Sequence, residues 1–240
     1  MHASLFSRLF YPALLLLLVA GLTGCGEDGV SPDDTTKPGI GSTYTVAGYY
    51  TDAAGTPNPL SYDTSTTTLS EIHASFKGKS DVHEFTNKFG SSFLAYDDDG
   101  DIHMLFQATL NGQLDSVWLE LPAGSGTEST QEVASNIQTL SPGTVYSSVL
   151  TAHSTRGASR EFTINGTTLT AQEVTVELEN MTIFTVDGDV VSQMAIYTTL
   201  TAYYAPAIGM TVQQESEITD SDGNPIGTGS FAAVIDYELK

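Results

Sequence analysis

The sequence is poor in basic residues and in cysteine. It has 8 Lys and Arg against 29 Asp and Glu, a formal net charge of -21, and one cysteine in 240 residues. Such an acidic surface repels the phosphate backbone of nucleic acids. Proteins that bind nucleic acids use Lys and Arg, which displace counterions from the phosphates. Nucleic acid is therefore excluded as a partner, and a single cysteine excludes any disulfide within the chain.

Long apolar runs are also missing, apart from one near the N-terminus at residues 9–20. That run is too short for a transmembrane helix, which needs about 20 apolar residues. Arg8 precedes the run, and small residues follow it as far as Cys25. This order is typical of a secretory signal peptide.

The last four residues of this segment are Leu22, Thr23, Gly24 and Cys25. They resemble the lipobox of bacterial lipoprotein signal peptides. The resemblance implies that residues 1–24 are removed, that the Cys25 thiol is joined to diacylglycerol, and that the new terminal amine is acylated. Two or three acyl chains would hold the protein at a membrane almost permanently. Because Gly26 stands where an inner-membrane lipoprotein tends to have Asp, the resemblance implies a lipid anchor in the bacterial cell envelope, at the outer membrane.

The rest of the chain divides into a tether and one domain. Residues 25–42 hold the modified cysteine and a segment rich in Gly, Pro and Asp, which has too little apolar content to order itself. From residue 43 to residue 240, short stretches of alternating polarity are separated by turn residues, in a sequence with 32 Thr and only 15% charged residues. We therefore predict a single all-β domain, an antiparallel meander that forms a large curved sheet or an open barrel, with at most one short helix.

Two segments show the alternation most clearly. At residues 173–179, Val174, Val176 and Leu178 would face the core. In the last strand, the residues predicted to share one core face are Phe231, Ala233, Ile235, Tyr237 and Leu239. Asn-Gly at Asn165, Asp-Gly-Asp at Asp187 and Asp-Gly-Asn-Pro at Asp222 predict tight hairpin connections. Similar segments that begin at Asp99 and Asp187 suggest two β-rich halves.

One segment has a helical pattern. Ser129 and Glu132 have the spacing of a capping box, and Val133, Ile137 and Leu140 would lie on one helical face before Pro142. The sequence therefore predicts a short helix at this place, between the two halves.

A second resemblance concerns the β domain. The residues Tyr203, Tyr204, Ala205, Pro206, Ala207, Ile208, Gly209 and Met210 resemble an aromatic-x-Ala-Pro-Gly-Val/Ile-Gly element. That element occurs in bacterial envelope proteins of unknown function related to the DUF3108 and TapB-like families. Ala207 departs from the usual Gly. The resemblance covers residues 45–238 and implies an antiparallel β architecture, but no reaction. Tyr203 and Tyr204 are either a ligand-contact surface or core residues at a strand end.

Acidic residues supply one candidate metal site. Asp97, Asp99 and Asp101, with Asp98 between them, surround Gly100 and could offer oxygen ligands to Ca²⁺. The alternative is an exposed acidic hairpin, because the twelve-residue pattern of an EF-hand is absent. We predict no other cofactor.

Other motifs are incomplete. His83 and Glu84 begin a zinc-protease pattern, but Asn87 replaces its second histidine. Asp63-Thr64-Ser65 is similar to one loop of an aspartic protease, without the second loop that such a site needs. The remaining candidates, His73, His103 and His153, have no partner close in sequence.

The sequence thus favours a lipid-anchored envelope lipoprotein with a non-catalytic binding or structural role. Its partners would be the membrane, through the covalent lipid, and an envelope protein or an apolar or glycan ligand. Two alternatives stay open: a hydrolase of envelope polymers that uses a pair of carboxylates, and a Ca²⁺-dependent binding protein.

Overall fold

The computed structural model describes residues 38–96, 102–110, 113–121 and 128–240, and these residues contain twelve β-strands and no α-helix. The strands are β1 (Thr43–Thr51), β2 (Asp63–Phe76), β3 (Lys79–Asn87), β4 (Gly90–Tyr96), β5 (Ile102–Leu110), β6 (Gln113–Leu121), β7 (Glu128–Ser141), β8 (Thr144–Ile164), β9 (Thr167–Val186), β10 (Asp189–Ala205), β11 (Met210–Asp220) and β12 (Gly229–Glu238). Short 3₁₀ helices lie at Pro59–Ser61 and Pro206–Ile208.

All twelve strands belong to one antiparallel sheet that curves until it nearly closes on itself. Its order is β6-β5-β4-β3-β2-β1-β12-β11-β10-β9-β8-β7. The strands β1–β6 and β7–β12 are two consecutive six-strand meanders, joined in the middle of the sheet by the pairing of β1 with β12. The predicted all-β antiparallel class is confirmed, and the two β-rich halves correspond to the two meanders.

Side chains on the concave face of the sheet fill its interior. Val174, Val176 and Leu178 of β9 are buried there, as the alternation at residues 173–179 predicts. Phe85 and Leu94 from the first meander are fully buried in the same core. Burial of an aliphatic or aromatic side chain of this size stabilises a fold by about 1.5–3 kcal/mol. The core thus holds the two meanders together.

The predicted core face of β12 is wrong over its first half. Thr45 pairs with Asp236 but Val46 pairs with Val234, so Ile235 is the extra residue of a β-bulge. The bulge moves the alternation by one position. Val234 is therefore buried and Ile235 is 48% exposed, while Tyr237 and Leu239, beyond the bulge, pack against the core as predicted.

The predicted helix at residues 129–141 is also wrong, because the segment is strand β7. The pairing of β7 with β8 shifts between Glu132 and Ala134 and again between Thr139 and Ser141. Val133 and Leu140 are therefore the extra residues of two bulges, and Ile137 is 76% exposed. The two bulges interrupt the two-residue period of the strand. The apolar residues of β7 therefore have the spacing that one face of a helix would have.

The sheet has two distinct ends, which we call the near end and the far end. The near end is the one where the first described residues meet the last: Gly39 N donates to the carbonyl oxygen of Lys240 (3.2 Å). The Tyr44 hydroxyl there donates to the carbonyl oxygen of Ile208 (2.7 Å). At the far end, β1 and β11 finish and their turns lead into β2 and β12.

Strands β7–β10 continue past the rest of the sheet at the far end. The last residue of β11, Asp220, pairs with Ile196, so residues 189–195 of β10 extend about 23 Å further at the usual rise per residue. We call residues 133–149 and 180–196 the tongue. Asp187 and Asp189, at its tip, are its only charged residues. Exposed apolar side chains of the tongue are Ile137, Leu140, Val186, Val190, Val191 and Met194.

The two outer strands, β6 and β7, meet at a seam where the sheet nearly closes. The side chain of Gln131 on β7 spans this seam, with Nε2 donating to the carbonyl oxygen of Trp118 (2.9 Å). Its Oε1 accepts from the backbone N–H of Glu120 (3.3 Å). One carboxamide thus satisfies a donor and an acceptor on the edge of β6.

Candidate functional site

A cleft of about 260 Å³ opens on the concave face of the sheet at its far end. Strands β1, β2, β3, β11 and β12 and two connecting segments contribute to its wall, and these five strands are neighbours in the central part of the sheet. The residues that matter to its chemistry are Tyr50 from β1, Asp63 from β2, Asn87 and Phe89 from the end of β3 and the following turn, and Gln214 from β11. Clefts that combine apolar walls with a few polar groups are typical of small-molecule sites.

Gln214 is the most unusual residue of the cleft. Gln214 pairs with Ala202 of β10, which belongs to the hydrophobic core, so the two side chains lie on the same concave face of the sheet. The residue is only 5% exposed, yet its Oε1 makes no hydrogen bond with any residue that the structure describes. A buried polar atom without a partner costs about 1–3 kcal/mol. A ligand or water molecule that donates a hydrogen bond to this oxygen would remove the cost.

The rim of the cleft next to β2 holds an ion pair. Lys88 Nζ contacts the carboxylate of Asp63 and also donates to the carbonyl oxygen of Thr64 (3.0 Å). The hydrogen bond from Lys88, with another from the backbone N–H of Thr64, lowers the pKa of Asp63 below its ordinary value. The same ammonium lies 5.0 Å from the centroid of the Phe89 ring, and Phe89 is 51% exposed.

The connection from β1 to β2 also lines the cleft, through Ser61. The Ser61 hydroxyl accepts from Tyr50 N (2.8 Å) and donates to the carbonyl oxygen of Asn58 (2.7 Å). The Asn58 side chain caps the 3₁₀ helix by accepting from Leu60 N (3.1 Å). These bonds fix the backbone beside Tyr50, so this side of the cleft is preorganised.

Two turns of the same sequence pattern stand at the far end. Thr51–Pro57 and Thr219–Pro225 both read Thr-Asp-x-x-Gly-x-Pro. Asp52 Oδ1 accepts from the backbone N–H groups two and four residues on, at 2.9 Å each, and Asp220 Oδ1 does the same at 2.9 and 2.8 Å. Because only β12 separates β1 from β11, the turns lie about 10 Å apart. The repeated pattern was readable in the sequence, and we did not predict it.

A second cluster lies on β2 and β3. His73 Nε2 is 2.9 Å from Glu84 Oε2, and His73 Nδ1 is 3.4 Å from Glu71 Oε1. Ser91 donates to the other oxygen of Glu84 (2.7 Å). The ligand atoms of Glu71, His73 and Glu84 lie within 4.8 Å of one another, so these residues could hold a metal ion. Carboxylates face both ring nitrogens, which is equally the arrangement of an ion-paired imidazolium.

Of the candidate residues that the structure describes, Asp63, Thr64, Ser65 and Asn87 line this cleft. Cys25 and the proposed Ca²⁺ ligands Asp97, Asp99 and Asp101 lie outside the described residues, so both sites stay predictions. Tyr203 and Tyr204 are buried, at 8% and 1% exposure, in the hydrophobic core. Ligand contact by these two tyrosines also stays a prediction.

The remaining histidines and carboxylates do not form a recognisable catalytic centre in the described ranges. His103 is buried on β5, while His153 on β8 lies 3.1 Å from the Thr130 hydroxyl. Among residues 38–96, 102–110, 113–121 and 128–240, no Asp or Glu whose side chain the structure describes is buried. The described part of the chain thus does not supply the buried carboxylate pair that the hydrolase hypothesis requires.

The fold and the cleft define a class: an antiparallel β protein, nearly closed, with a small mixed apolar and polar cleft at one end. No protein-family model and no curated protein matches the sequence. Among solved structures, the chain is similar to a protein described as a putative lipoprotein from Parabacteroides distasonis. The two share 11% identity and a TM-score of 0.41, over 84% of this chain and 97% of the other. The likeness to the DUF3108 and TapB-like group therefore stays a prediction.

None of the helices in the described ranges has the length and apolar character that crossing a bilayer requires.

Proposed function

We propose that this protein is a lipid-anchored lipoprotein of the bacterial envelope whose β domain binds a small ligand, without catalysing a reaction, in the cleft at its far end. One observation carries the proposal. The chain enters the fold at the near end, where Gly39 meets Lys240, and the cleft opens at the opposite end of the sheet. A tether at the near end would therefore leave the cleft free.

The anchor is the second part of the proposal, and it depends on the sequence. The residues Leu22 to Cys25 follow a short apolar run, and Cys25 is the one cysteine of the chain. Diacylglycerol on this thiol and a third acyl chain on the amine would give durable attachment. Gly26 supports the outer membrane as the location.

Cys25→Ser tests the anchor. In cells labelled with a palmitate analogue, the unchanged protein should take up the label and fractionate with outer-membrane density. The variant should remain unlabelled and keep its signal peptide, which mass spectrometry would show directly. A variant that is processed and retained at the membrane like the unchanged protein would contradict the proposal.

A further inference from the structure

We infer that the far-end cleft takes a neutral, hydroxyl-bearing ligand about the size of one sugar ring. This inference rests on the proposed binding function and names the chemical class of its ligand. It follows from three properties of the cleft. The buried acceptor Gln214 Oε1 has no hydrogen-bond partner, the carboxylate of Asp63 is paired with Lys88, and the ring of Phe89 is exposed.

The first property is the acceptor on Gln214. Its Oε1 makes no bond with the described protein, so a ligand that bonds to this atom must donate a hydrogen. The terminal torsion of a glutamine is broad, so a small rotation can turn this oxygen toward the cleft. A fully deprotonated phosphate or carboxylate group has no hydrogen to donate. An alcohol, an amide or an amine does.

The charges in the wall of the cleft favour an alcohol over an amine as the ligand group. Among the described residues that line the cleft, Asp63 is the only ionised one, and Lys88 pairs with it. The carboxylate therefore has no unbalanced charge to offer a cationic amine. The net charge of -21 also acts against an anionic ligand. A neutral hydroxyl group can donate a hydrogen bond to Gln214 Oε1, and its binding does not require the desolvation of a charge.

The apolar part of the wall fits the carbon face of a ring. Phe89 is half-exposed at the rim, with the Lys88 ammonium over it. Asn87 is on the same rim, and the Ser61 and Thr64 residues also line the cleft, so polar groups surround an aromatic surface. A volume of about 260 Å³ lies below the usual range for drug-sized ligands, and it suits one ring better than a chain of rings.

Three sugars that share one ring distinguish the classes. The full lipidated chain, in a detergent without a sugar headgroup, should be titrated by calorimetry and ligand-observed NMR with methyl glucoside, glucosamine and glucuronate. N-acetylglucosamine and methyl galactoside extend the neutral set. We expect at least one neutral sugar to bind at least tenfold more tightly than glucosamine or glucuronate.

Three substitutions test whether the sugar binds in this cleft. Gln214→Leu should weaken binding of the neutral sugar at least tenfold, whereas Gln213→Leu, on the opposite face of the same strand, should leave it unchanged. Phe89→Ala, at an exposed position that should not affect folding, should also weaken binding at least tenfold.

The outcomes separate this inference from the proposed function. Tighter binding of a charged sugar that depends on Gln214, or no binding of any neutral sugar, overturns the ligand class. The cleft as a binding site would still stand in the first case. Sugar binding that neither Gln214→Leu nor Phe89→Ala changes overturns both, because the ligand would then be held elsewhere.

Discussion

Gln131 and Trp118, on the two edge strands of the sheet, are joined by a side-chain hydrogen bond where neighbouring strands elsewhere are joined by backbone ladders. The same carboxamide also accepts from Glu120 N. An edge strand normally exposes a row of unpaired backbone groups. Here one glutamine covers part of that row and holds the sheet in its nearly closed form.

Gln131→Ala should open the seam. It removes two hydrogen bonds, each worth about 0.5–1.5 kcal/mol, so we expect a loss of about 1–3 kcal/mol in the free energy of unfolding. The amides of β6 should then exchange faster with deuterium, and Gln138→Ala, at an exposed position of the same strand, should change neither quantity. Unchanged exchange in β6 would show that the seam does not depend on this side chain.

Tyr44 should limit stability in alkali. Burial raises the pKa of its hydroxyl well above the ordinary value of 10.0. The unfolded chain loses the Tyr44 proton near pH 10 while the folded chain keeps it, so stability falls as the pH rises beyond that value. Tyr44→Phe should lower stability at pH 7 by about 1 kcal/mol, since it removes the bond to Ile208.

Thermal unfolding measured from pH 7 to pH 11 checks this expectation. The melting temperature of Tyr44→Phe should fall less steeply above pH 10 than that of the unchanged protein. Tyr62→Phe is the control, because Tyr62 is 61% exposed. Parallel curves for the unchanged protein and Tyr44→Phe would contradict the assignment.

Asp220 should contribute stability that acid removes. Hydrogen bonds from the side chain and then the backbone of Asn224 lower the pKa of Asp220 below its ordinary value of 3.8. The carboxylate therefore stabilises the fold above pH 4, and this contribution is lost as the pH falls through the lowered pKa. Asp220→Ala should lower the melting temperature at pH 7, and the difference from the unchanged protein should shrink at pH 3.

The control for Asp220 lies in the same turn. Asp222→Ala removes a carboxylate that is not the acceptor of these bonds, so its effect at pH 7 should be smaller. An equal effect of the two substitutions would show that net charge, and not the turn, determines the change.

The tongue should add little to the stability of the sheet. Leu140 in the tongue is 52% exposed, whereas Leu94 in the core is fully buried. Leu94→Ala should cost about 2–5 kcal/mol, the usual range for a buried leucine. Leu140→Ala should change stability by less than about 0.5 kcal/mol. Chemical denaturation compares the two, and a large loss for Leu140→Ala would mean that its side chain is covered in solution.

The sequence predicted the regular parts of the fold. The alternation at Val174, Val176 and Leu178 identified a strand and its buried face, and Asn165-Gly166 and Asp187-Gly188 identified two hairpin turns. These features are local, since a period of two and a turn dipeptide are decided by adjacent residues. A chain in which such strands and tight turns alternate from end to end forms an antiparallel all-β fold, so the fold class could be predicted.

The errors come from β-bulges. Val133 and Leu140 on β7 and Ile235 on β12 are extra residues, and each shifts the alternation by one. A bulge is defined by the register with a partner strand, which the sequence of one strand does not contain. The helix at residues 129–141 and the wrong face of β12 are both consequences of this.

The cleft could not be predicted for a related reason. Tyr50, Asp63, Phe89 and Gln214 come from strands and turns that the chain separates widely and the sheet order brings together. Gln214 looks like an ordinary polar residue in a strand. Only its burial beside β12, opposite Ala232, distinguishes it from Gln213.

The pairing of β1 with β12 has a kinetic consequence. Each six-strand meander can assemble from contacts between neighbours along the chain, which close quickly, whereas β1 must wait for a partner at the other end of the described sequence. Docking of two preassembled halves would then be the slow step of folding. Until it occurs, β1 and β12 are both open edges, and this intermediate is the form of the protein most prone to aggregate or to exchange halves with another molecule.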